Sequence, residues 1–275
     1  MKIAKRIGII VSSIALIGAL NGCEQRPALQ ANVGYISMQH LPAGADEVNP
    51  IRFAAIRQAA TSLGARGGLS WEARNIDAAL RCESIFLDQV FDFNQLLLNH
   101  NVLPPVLVES NDNLNLDDND TLRIATKTYR IIRPARFVTA PPNWRDYLWM
   151  RFKRPKLSDR SLLPQTQAEA SIWNHYIQKG WLNGNQQALD IFTENLNRLK
   201  RDMVGMILYR RLLTLHMVSA PFVASADLGV TGNGTQLRIN DQVLRITAQS
   251  RLQPNSKKWT PVLTPAKAFP KPIGN

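Results

Sequence analysis

The stretch NQQALDIFTENLNRLKRDMVGMILYRRLL, residues 185–213, carries the strongest periodic signal in the chain of 275 residues. Apolar side chains recur in it every three or four residues, at Ala188, Phe192, Leu196, Leu199, Met203 and Met206. This spacing places them on one face of an α-helix, which completes a turn in about 3.6 residues. The pattern predicts a helix from about Asn185 to Met217, ended by Pro221, with its apolar face against a core.

Shorter helices are predicted before this one. Residues 51–63 have apolar side chains at helical spacing, and the glycine-rich GARGGL (64–69) is predicted to end that helix. Ser70 is predicted to cap the next helix, which runs to about Leu98. Cys82 lies on an apolar stripe of this helix, which predicts a buried core residue. Two more helices are predicted, a short one over WRDYLWM capped by Asn143 and one over residues 165–179.

The remaining elements are predicted strands. Residues 122–139 and 235–248 are rich in Ile, Thr, Tyr, Val and Leu, and we expect them to form a small antiparallel sheet, with a bend near Asn240-Asp241. The stretch NDNLNLDDND (111–120) is predicted to be an acidic loop. It fails as an EF-hand, because Asp118 occupies the glycine position and Ile124 the final glutamate position. The predicted fold class is therefore α+β, a mainly helical single domain over residues 51–250. A division into two lobes near residue 110 or 165 remains an alternative.

The N-terminus has the pattern of an export signal. Lys2, Lys5 and Arg6 precede an apolar run, Ile7 to Leu20, whose 14 residues fall short of the roughly 20 that span a bilayer. Leu20-Asn21-Gly22-Cys23 then resembles the lipobox of bacterial lipoproteins, in which the cysteine thiol is acylated after export. Residues 1–22 are predicted to be removed and Cys23 to be lipidated. A plain signal peptide with a chance cysteine remains the alternative.

Composition extends this prediction to the rest of the chain. Residues 23–50 are predicted to be a lipid-anchored tether and residues 251–275 a flexible basic tail with five prolines and four lysines. Loss of the signal leaves 30 basic and 21 acidic residues, a net charge of +9. Such a charge favours anionic partners without choosing among lipid headgroups, cell-wall polymers, nucleic acid and acidic proteins. A domain with Cys82 as its one remaining thiol has no internal disulfide.

No motif for catalysis occurs in the sequence. H-E-x-x-H, G-x-S-x-G, Walker A and C-x-x-C patterns are all absent, and the four histidines are scattered. Six tryptophans could line a glycan cleft, but no paired carboxylates accompany them. The sequence thus predicts no catalytic residue, no metal and no cofactor.

An ordered series of short segments resembles a known family. The segments are SLGARGGLSWEARNI, LDQVFDFNQLLL with VLPPV, ARFVTAPPNWRDYL, the pair Gly180-Trp181, and RLKRDMVGMILYRRLL followed by SAPFVA. In this order, behind a lipobox, they resemble the DotC family, called TraI in I-type conjugative plasmids. The resemblance covers about residues 50 to 250.

The resemblance implies a structural role at the outer membrane. Members are lipoproteins of the type IVB secretion or conjugation core complex, which implies a DotD-like lipoprotein and a DotH-like protein as partners and self-association in a ring. It implies no direct binding of nucleic acid, and it transfers one functional residue, the lipobox cysteine Cys23. It does not decide between DNA and protein effectors as the transported cargo. Two alternatives remain: a solitary exported enzyme or cell-wall binding lipoprotein, and a simple binder of anionic lipid or nucleic acid.

Overall fold

The computed structural model describes residues 48–118, 120–156 and 160–260. Its α-helices are α1 (Pro50–Cys82), α2 (Ser84–Val90), α3 (Trp144–Leu148) and α4 (Gln167–Thr214). Its strands are β1 (Val102–Leu103), β2 (Val106–Asp118), β3 (Thr121–Arg133), β4 (Arg136–Phe137), β5 (Phe222–Asn233) and β6 (Gln236–Ala248). Short 3₁₀ turns occupy Phe93–Leu96, Asn99–Asn101, Arg160–Leu162 and Ser256–Lys258. The predicted fold class, a mainly helical α+β domain with small antiparallel sheets, is confirmed.

The helix α1 is continuous through the glycines that were predicted to end it. The side chain of Asn49 caps its start by accepting a hydrogen bond of 2.9 Å from the Ile51 amide, and Pro50 occupies the first turn. It then extends for 33 residues to Cys82. The predicted break at residues 64–69 and the predicted helix start at Ser70 were therefore wrong.

The helix α4 is also continuous and joins two predicted helices into one of 48 residues. Thr166 caps its N-terminus, with its hydroxyl accepting from the Glu169 amide at 3.2 Å. The predicted apolar face is confirmed. Ala188, Leu199, Met203 and Met206 are buried, and Phe192 and Leu196 pack against the main core.

Close packing between α1 and α4 explains why both helices continue through their glycines. Contacts pair Arg52 with Glu169, Gly64 with Ile177 and Gly68 with Trp181, so the two helices run parallel. A Cβ at Gly64 would lie 2.2 Å from the carbonyl oxygen of Ile177, and a Cβ at Gly184 would lie 2.0 Å from that of Ala65. Backbone meets backbone here, and only glycine leaves enough room. Tertiary packing therefore overrides the low helix propensity of these glycines.

The strands form two long two-stranded ribbons. β2 pairs with β3, and β5 pairs with β6, both antiparallel, while β1 pairs with β4 over two residues. The predicted acidic loop 111–120 was wrong over residues 111–118, which extend β2. The predicted pairing of 122–139 with 235–248 was also wrong, because each of these segments pairs with its own sequence neighbour.

The turn of the second ribbon differs from the prediction too. It lies between β5 and β6, where the side chain of Asn233 accepts from the amides of Thr235 at 3.0 Å and Gln236 at 2.9 Å. The predicted bend at Asn240-Asp241 is instead a local irregularity within β6, with Asn240 at φ 55°. The Asx turn at Asn233 gives the backbone amides of Thr235 and Gln236 a hydrogen-bond acceptor within the tight turn.

The main core lies where the C-terminal half of α1, α2, α3 and the middle of α4 meet the base of the first ribbon. Its buried side chains include Leu80, Leu87, Phe93, Val106, Trp144, Leu148, Leu199 and Met206. Cys82 is exposed, which contradicts the predicted buried position. Since α1 continues without a break, Cys82 follows the buried Leu80 by two residues, about 200° around the helix, and faces away from the core.

Candidate functional site

A buried carboxylate fixes the base of the first ribbon to the helices. Asp202 on α4 has no exposed side-chain surface. Its Oδ2 accepts hydrogen bonds from the Tyr147 hydroxyl on α3, at 2.9 Å, and from Arg133 Nη2 at the end of β3. Its Oδ1 accepts from Arg201 at 3.3 Å. Both oxygens are satisfied, which a buried carboxylate requires.

The chemistry of this cluster suits structure rather than catalysis. Burial, together with the hydrogen bond to Asp202, raises the pKa of Tyr147 from 10.0 to about 12. A phenol with that pKa stays protonated at neutral pH and remains a hydrogen-bond donor. The cluster therefore holds the ribbon at a fixed position relative to α3 and α4.

A second polar contact fixes α3 to α2. The guanidinium of Arg145 lies 3.0 Å from Asp88 Oδ2 and stacks over the Trp144 ring at 4.3 Å. The indole N–H of Trp144 also donates to Asp88, at 2.8 Å. The Arg145 hydrogen bond, aided by that of Trp144, lowers the pKa of the Asp88 carboxyl to about 2. The predicted cap at Asn143 is confirmed, and it is part of a capping box at the start of α3. The Asn143 side chain accepts from the Arg145 amide, and the Asp146 side chain accepts from the Asn143 amide.

The far end of the first ribbon presents an apolar face to solvent. Leu114 pairs with Ile124 and Leu116 with Leu122, so all four side chains lie on one face. Each is more than half exposed, from 53% at Leu122 to 69% at Ile124. We call these four residues the first ribbon face.

The second ribbon repeats this arrangement. Val230 pairs with Ile239, and Leu237 lies on the same face two residues before Ile239. These three side chains, the second ribbon face, are 65–69% exposed. Contiguous exposed apolar side chains mark interaction surfaces, and a two-stranded ribbon is marginally stable without a covering partner. The two ribbon faces are the candidate functional site.

Grooves elsewhere on the domain offer less chemistry. A shallow groove of about 340 Å³ between the 3₁₀ turns and the start of β5 contains His100 and Arg210, and Arg210 donates to the carbonyl of Gln95. Within residues 48–260, as far as they are described, no three His, Cys, Asp or Glu side chains are grouped as a metal site. No helix in the same part of the chain is long and apolar enough to cross a membrane.

The sequence-predicted site residue and the structural site do not coincide. Cys23 lies outside the described residues, so its lipidation stays a prediction. The ribbon faces were missed, although a signal was present: Leu114 and Leu116 alternate with Asn113 and Asn115, which is the period of a strand. Trp144 and Trp173 are buried, and Trp71 packs against Trp181.

Comparison with known proteins gives the class of the molecule. A family profile described as type IV secretory system, conjugal DNA-protein transfer (TraI) matches residues 50–261, which is most of the chain and nearly all of the described domain. The protein is thus a component of a type IV secretion or conjugation system. The chain belongs to the TraI family, which confirms the resemblance found in its sequence. Comparison with curated proteins gives no match.

Proposed function

We propose that this protein is a structural lipoprotein of the outer-membrane core complex of a type IVB secretion or conjugation system. In this proposal it faces the periplasm and assembles with a DotD-like lipoprotein and a DotH-like protein. Copies of the chain associate in a ring that helps to build the transfer channel. The observation that carries the proposal is the family match over residues 50–261, together with the two exposed ribbon faces.

The architecture suits a scaffold. The ribbons extend from a domain whose two long helices pack backbone against backbone, and Asp202 fixes the first ribbon at its base. An interface gains from elements that are rigid before binding, because less conformational freedom is lost on association. The apolar ribbon faces would supply buried area, and the polar residues that alternate with them would form the rim.

The proposed lipid anchor rests on the lipobox-like sequence that ends at Cys23. Acylation at Cys23 would hold the mature chain to the membrane, and each buried methylene of an acyl chain adds about 0.8 kcal/mol. Glu24 follows Cys23, whereas an aspartate there would often signal retention at the inner membrane. The tether of residues 23–50 would let the domain stand away from the bilayer.

Size and composition of the native assembly test the scaffold role. The tagged chain, expressed with its neighbouring secretion genes and extracted in mild detergent, should elute as a very large species. Mass spectrometry should identify DotD-like and DotH-like proteins in it. A small particle without secretion components would contradict the proposal and favour the solitary enzyme or cell-wall binder.

Lipidation is tested separately. The wild-type chain should incorporate labelled fatty acid in cells, and the Cys23→Ser variant should not. Continued labelling of that variant would place the lipid elsewhere and refute the assignment to Cys23.

A further inference from the structure

The exposed side of α1 carries a row of arginines. Arg66, Arg74 and Arg81 are exposed and are separated by eight and seven residues, so they fall within about 80° of one another around the helix axis. At about 1.5 Å per residue, the row is roughly 22 Å long. The Nε of Arg66 and the Nε of Arg74 each donate to the carbonyl four residues earlier in α1. This orients both guanidinium groups, while both residues stay exposed.

The segment that leads from α3 to α4 runs back along this side of the helix. At one end, the amide of Met150 donates to Asp77 on α1 at 3.2 Å. Further along, Pro155 lies beside Gly67, 4.0 Å from where a Cβ would be. At the other end, Arg52 donates to the carbonyl of Ser161 at 2.7 Å. The described parts of the segment, residues 149–156 and 160–166, are therefore held against α1, and their order along it is opposite to that of the helix.

This segment brings four more cations to the same surface. They are exposed and lie at Arg151, Lys153, Arg154 and Lys156. We call the seven residues, three on α1 and four on the segment, the basic face. Within the described residues none of the seven forms an ion pair. The nearest acid along the row, Asp77, is buried beneath the surface and accepts from Met150. It also interacts electrostatically with Arg81 and Arg151 and so offsets part of the charge of those two arginines.

Seven cations on one side of a domain, none of them in an ion pair within the described residues, form a site for anions. Arginine forks bind phosphate oxygens in bidentate fashion, and lysines bind them as point charges. All seven cations are exposed, so the face fits an extended anionic surface better than a small enclosed ligand.

The aromatic residues of the segment distinguish between two phosphate-bearing partners. Phe152 is exposed among the cations, as an apolar side chain at a lipid interface would be. Trp149, in contrast, lies under Arg145 and Arg151, at 6.0 and 5.5 Å. A single-stranded nucleic acid uses a series of open aromatic platforms on which bases stack. Two exposed rings lie beside the described basic face, Phe152 at 39% and Trp181 at 37%, and Trp181 already packs against Trp71. Two rings, one of them already stacked, do not form such a series.

We propose that the basic face docks the domain onto the surface of a bilayer that contains anionic phospholipids. The choice of a membrane rests on the proposed function, which places the chain at a lipid surface. The lipid at Cys23 would supply the anchor, and the basic face would set the orientation of α1 relative to the membrane. Two such signals together hold a protein more firmly than either alone.

Vesicle co-sedimentation of the mature chain, residues 23–275 with Cys23→Ser, tests this proposal, because neither an acyl chain nor the apolar run Ile7 to Leu20 can then hold the protein to lipid. Vesicles of phosphatidylcholine and phosphatidylglycerol in equal parts should bind it at least about tenfold more tightly than vesicles of phosphatidylcholine alone. The difference should shrink as salt rises, since the Debye length falls from about 10 Å at 0.1 M to 3 Å at 1 M. Equal binding to both kinds of vesicle would overturn the proposal.

Charge-reversed variants locate the surface. Arg151, Lys153 and Arg154 changed together to Glu should abolish the preference for phosphatidylglycerol. The matched control changes three exposed arginines of the second ribbon and its following segment to Glu: Arg238, Arg245 and Arg251. The control has the same net charge and should keep the preference. Equal loss in both variants would show a response to net charge alone and would refute a defined face.

Two further measurements complete the test. Arg66, Arg74 and Arg81 changed together to Gln should also weaken binding, with a circular dichroism spectrum unchanged from that of the parent. An oligonucleotide of single-stranded DNA serves as the competing ligand. If the basic face bound it more tightly than the anionic vesicles, the surface would be a nucleic-acid site and the membrane proposal would fail. None of these outcomes depends on assembly of the secretion complex.

Discussion

Tyr147 donates a hydrogen bond of 2.9 Å to Asp202, although the two residues lie on different helices and both are buried. The same carboxylate oxygen accepts from Arg133, where the first ribbon meets the domain. One carboxylate therefore connects α3, α4 and β3. At its base the ribbon is held by this polar contact together with the buried side chains of Val106 and Leu107.

Removal of the carboxylate should destabilise the domain. Asp202→Ala leaves Tyr147 and two arginines without their acceptor, and we expect a loss of about 2–4 kcal/mol in the free energy of unfolding. The arginines are partly exposed and can regain water, which keeps the loss below that of a fully buried pair. Urea denaturation measures it. Asp190→Ala, at an exposed position of the same helix, is the control and should change stability by less than about 0.5 kcal/mol. Equal midpoints for the two variants would contradict the role of Asp202.

The same contact predicts a loss of stability at alkaline pH. Burial and Asp202 raise the pKa of Tyr147 from 10.0 to about 12, so the folded state favours the protonated phenol. Its contribution is fully present below pH 10 and is lost as the pH rises from about 10 to about 12. The free energy of unfolding should therefore fall across this range, by roughly 3 kcal/mol for this group. In Tyr147→Phe the fall should be smaller by that amount, since other groups titrate equally in both proteins. Parallel curves would show that Tyr147 does not carry this dependence.

Close packing of the two long helices predicts a strong effect of a single methyl group. Gly184→Ala would place its Cβ 2.0 Å from the carbonyl oxygen of Ala65, and backbone cannot move aside cheaply. We expect a loss of about 3 kcal/mol or more, as for severe overpacking. At Gly67, the nearest atom is 3.0 Å away and belongs to the ring of Trp181, which can shift. Gly67→Ala should change stability by less than about 1 kcal/mol, because improved helix propensity offsets the contact. Thermal unfolding of both variants tests the order, and a larger loss for Gly67→Ala would refute the packing.

These glycines also show where the sequence alone could not predict the fold. The buried face of α4 was predictable, because its apolar residues recur every three or four positions and this spacing can be read from the local sequence. Gly64 and Gly184 look like helix breakers until each is placed against a backbone that lies far along the chain. The same holds for Asp202, whose partners come from β3 and α3. The sequence predicted the class, the family and one face of α4, whereas the helix continuity and the ribbon pairing depend on contacts distant in sequence.

The sequence predicted that Cys82 is buried, whereas the structure exposes it, and the reactivity of its thiol can distinguish the two. An unbroken α1 turns it to the surface, so its thiol should react with a maleimide in the native state at a rate within about tenfold of that in urea. The Cys23→Ser background leaves Cys82 as the one thiol. If the thiol reacted only after denaturant was added, the result would support the buried position of Cys82 that the sequence predicted.

The ribbon faces should govern assembly without governing folding. Leu114→Asn with Ile124→Thr makes the first ribbon face polar at one cross-strand pair, while both side chains are already more than half exposed in the isolated domain. We expect the free energy of unfolding to change by less than about 1 kcal/mol, because little buried area is lost. The chain should nevertheless leave the large detergent-extracted species, since a truncated interface core weakens association far more than a changed rim. Asn113→Ser with Ala125→Ser alters the opposite face of the same ribbon and should leave assembly intact. If both pairs of substitutions assembled as the parent does, the first ribbon face would not be a contact surface.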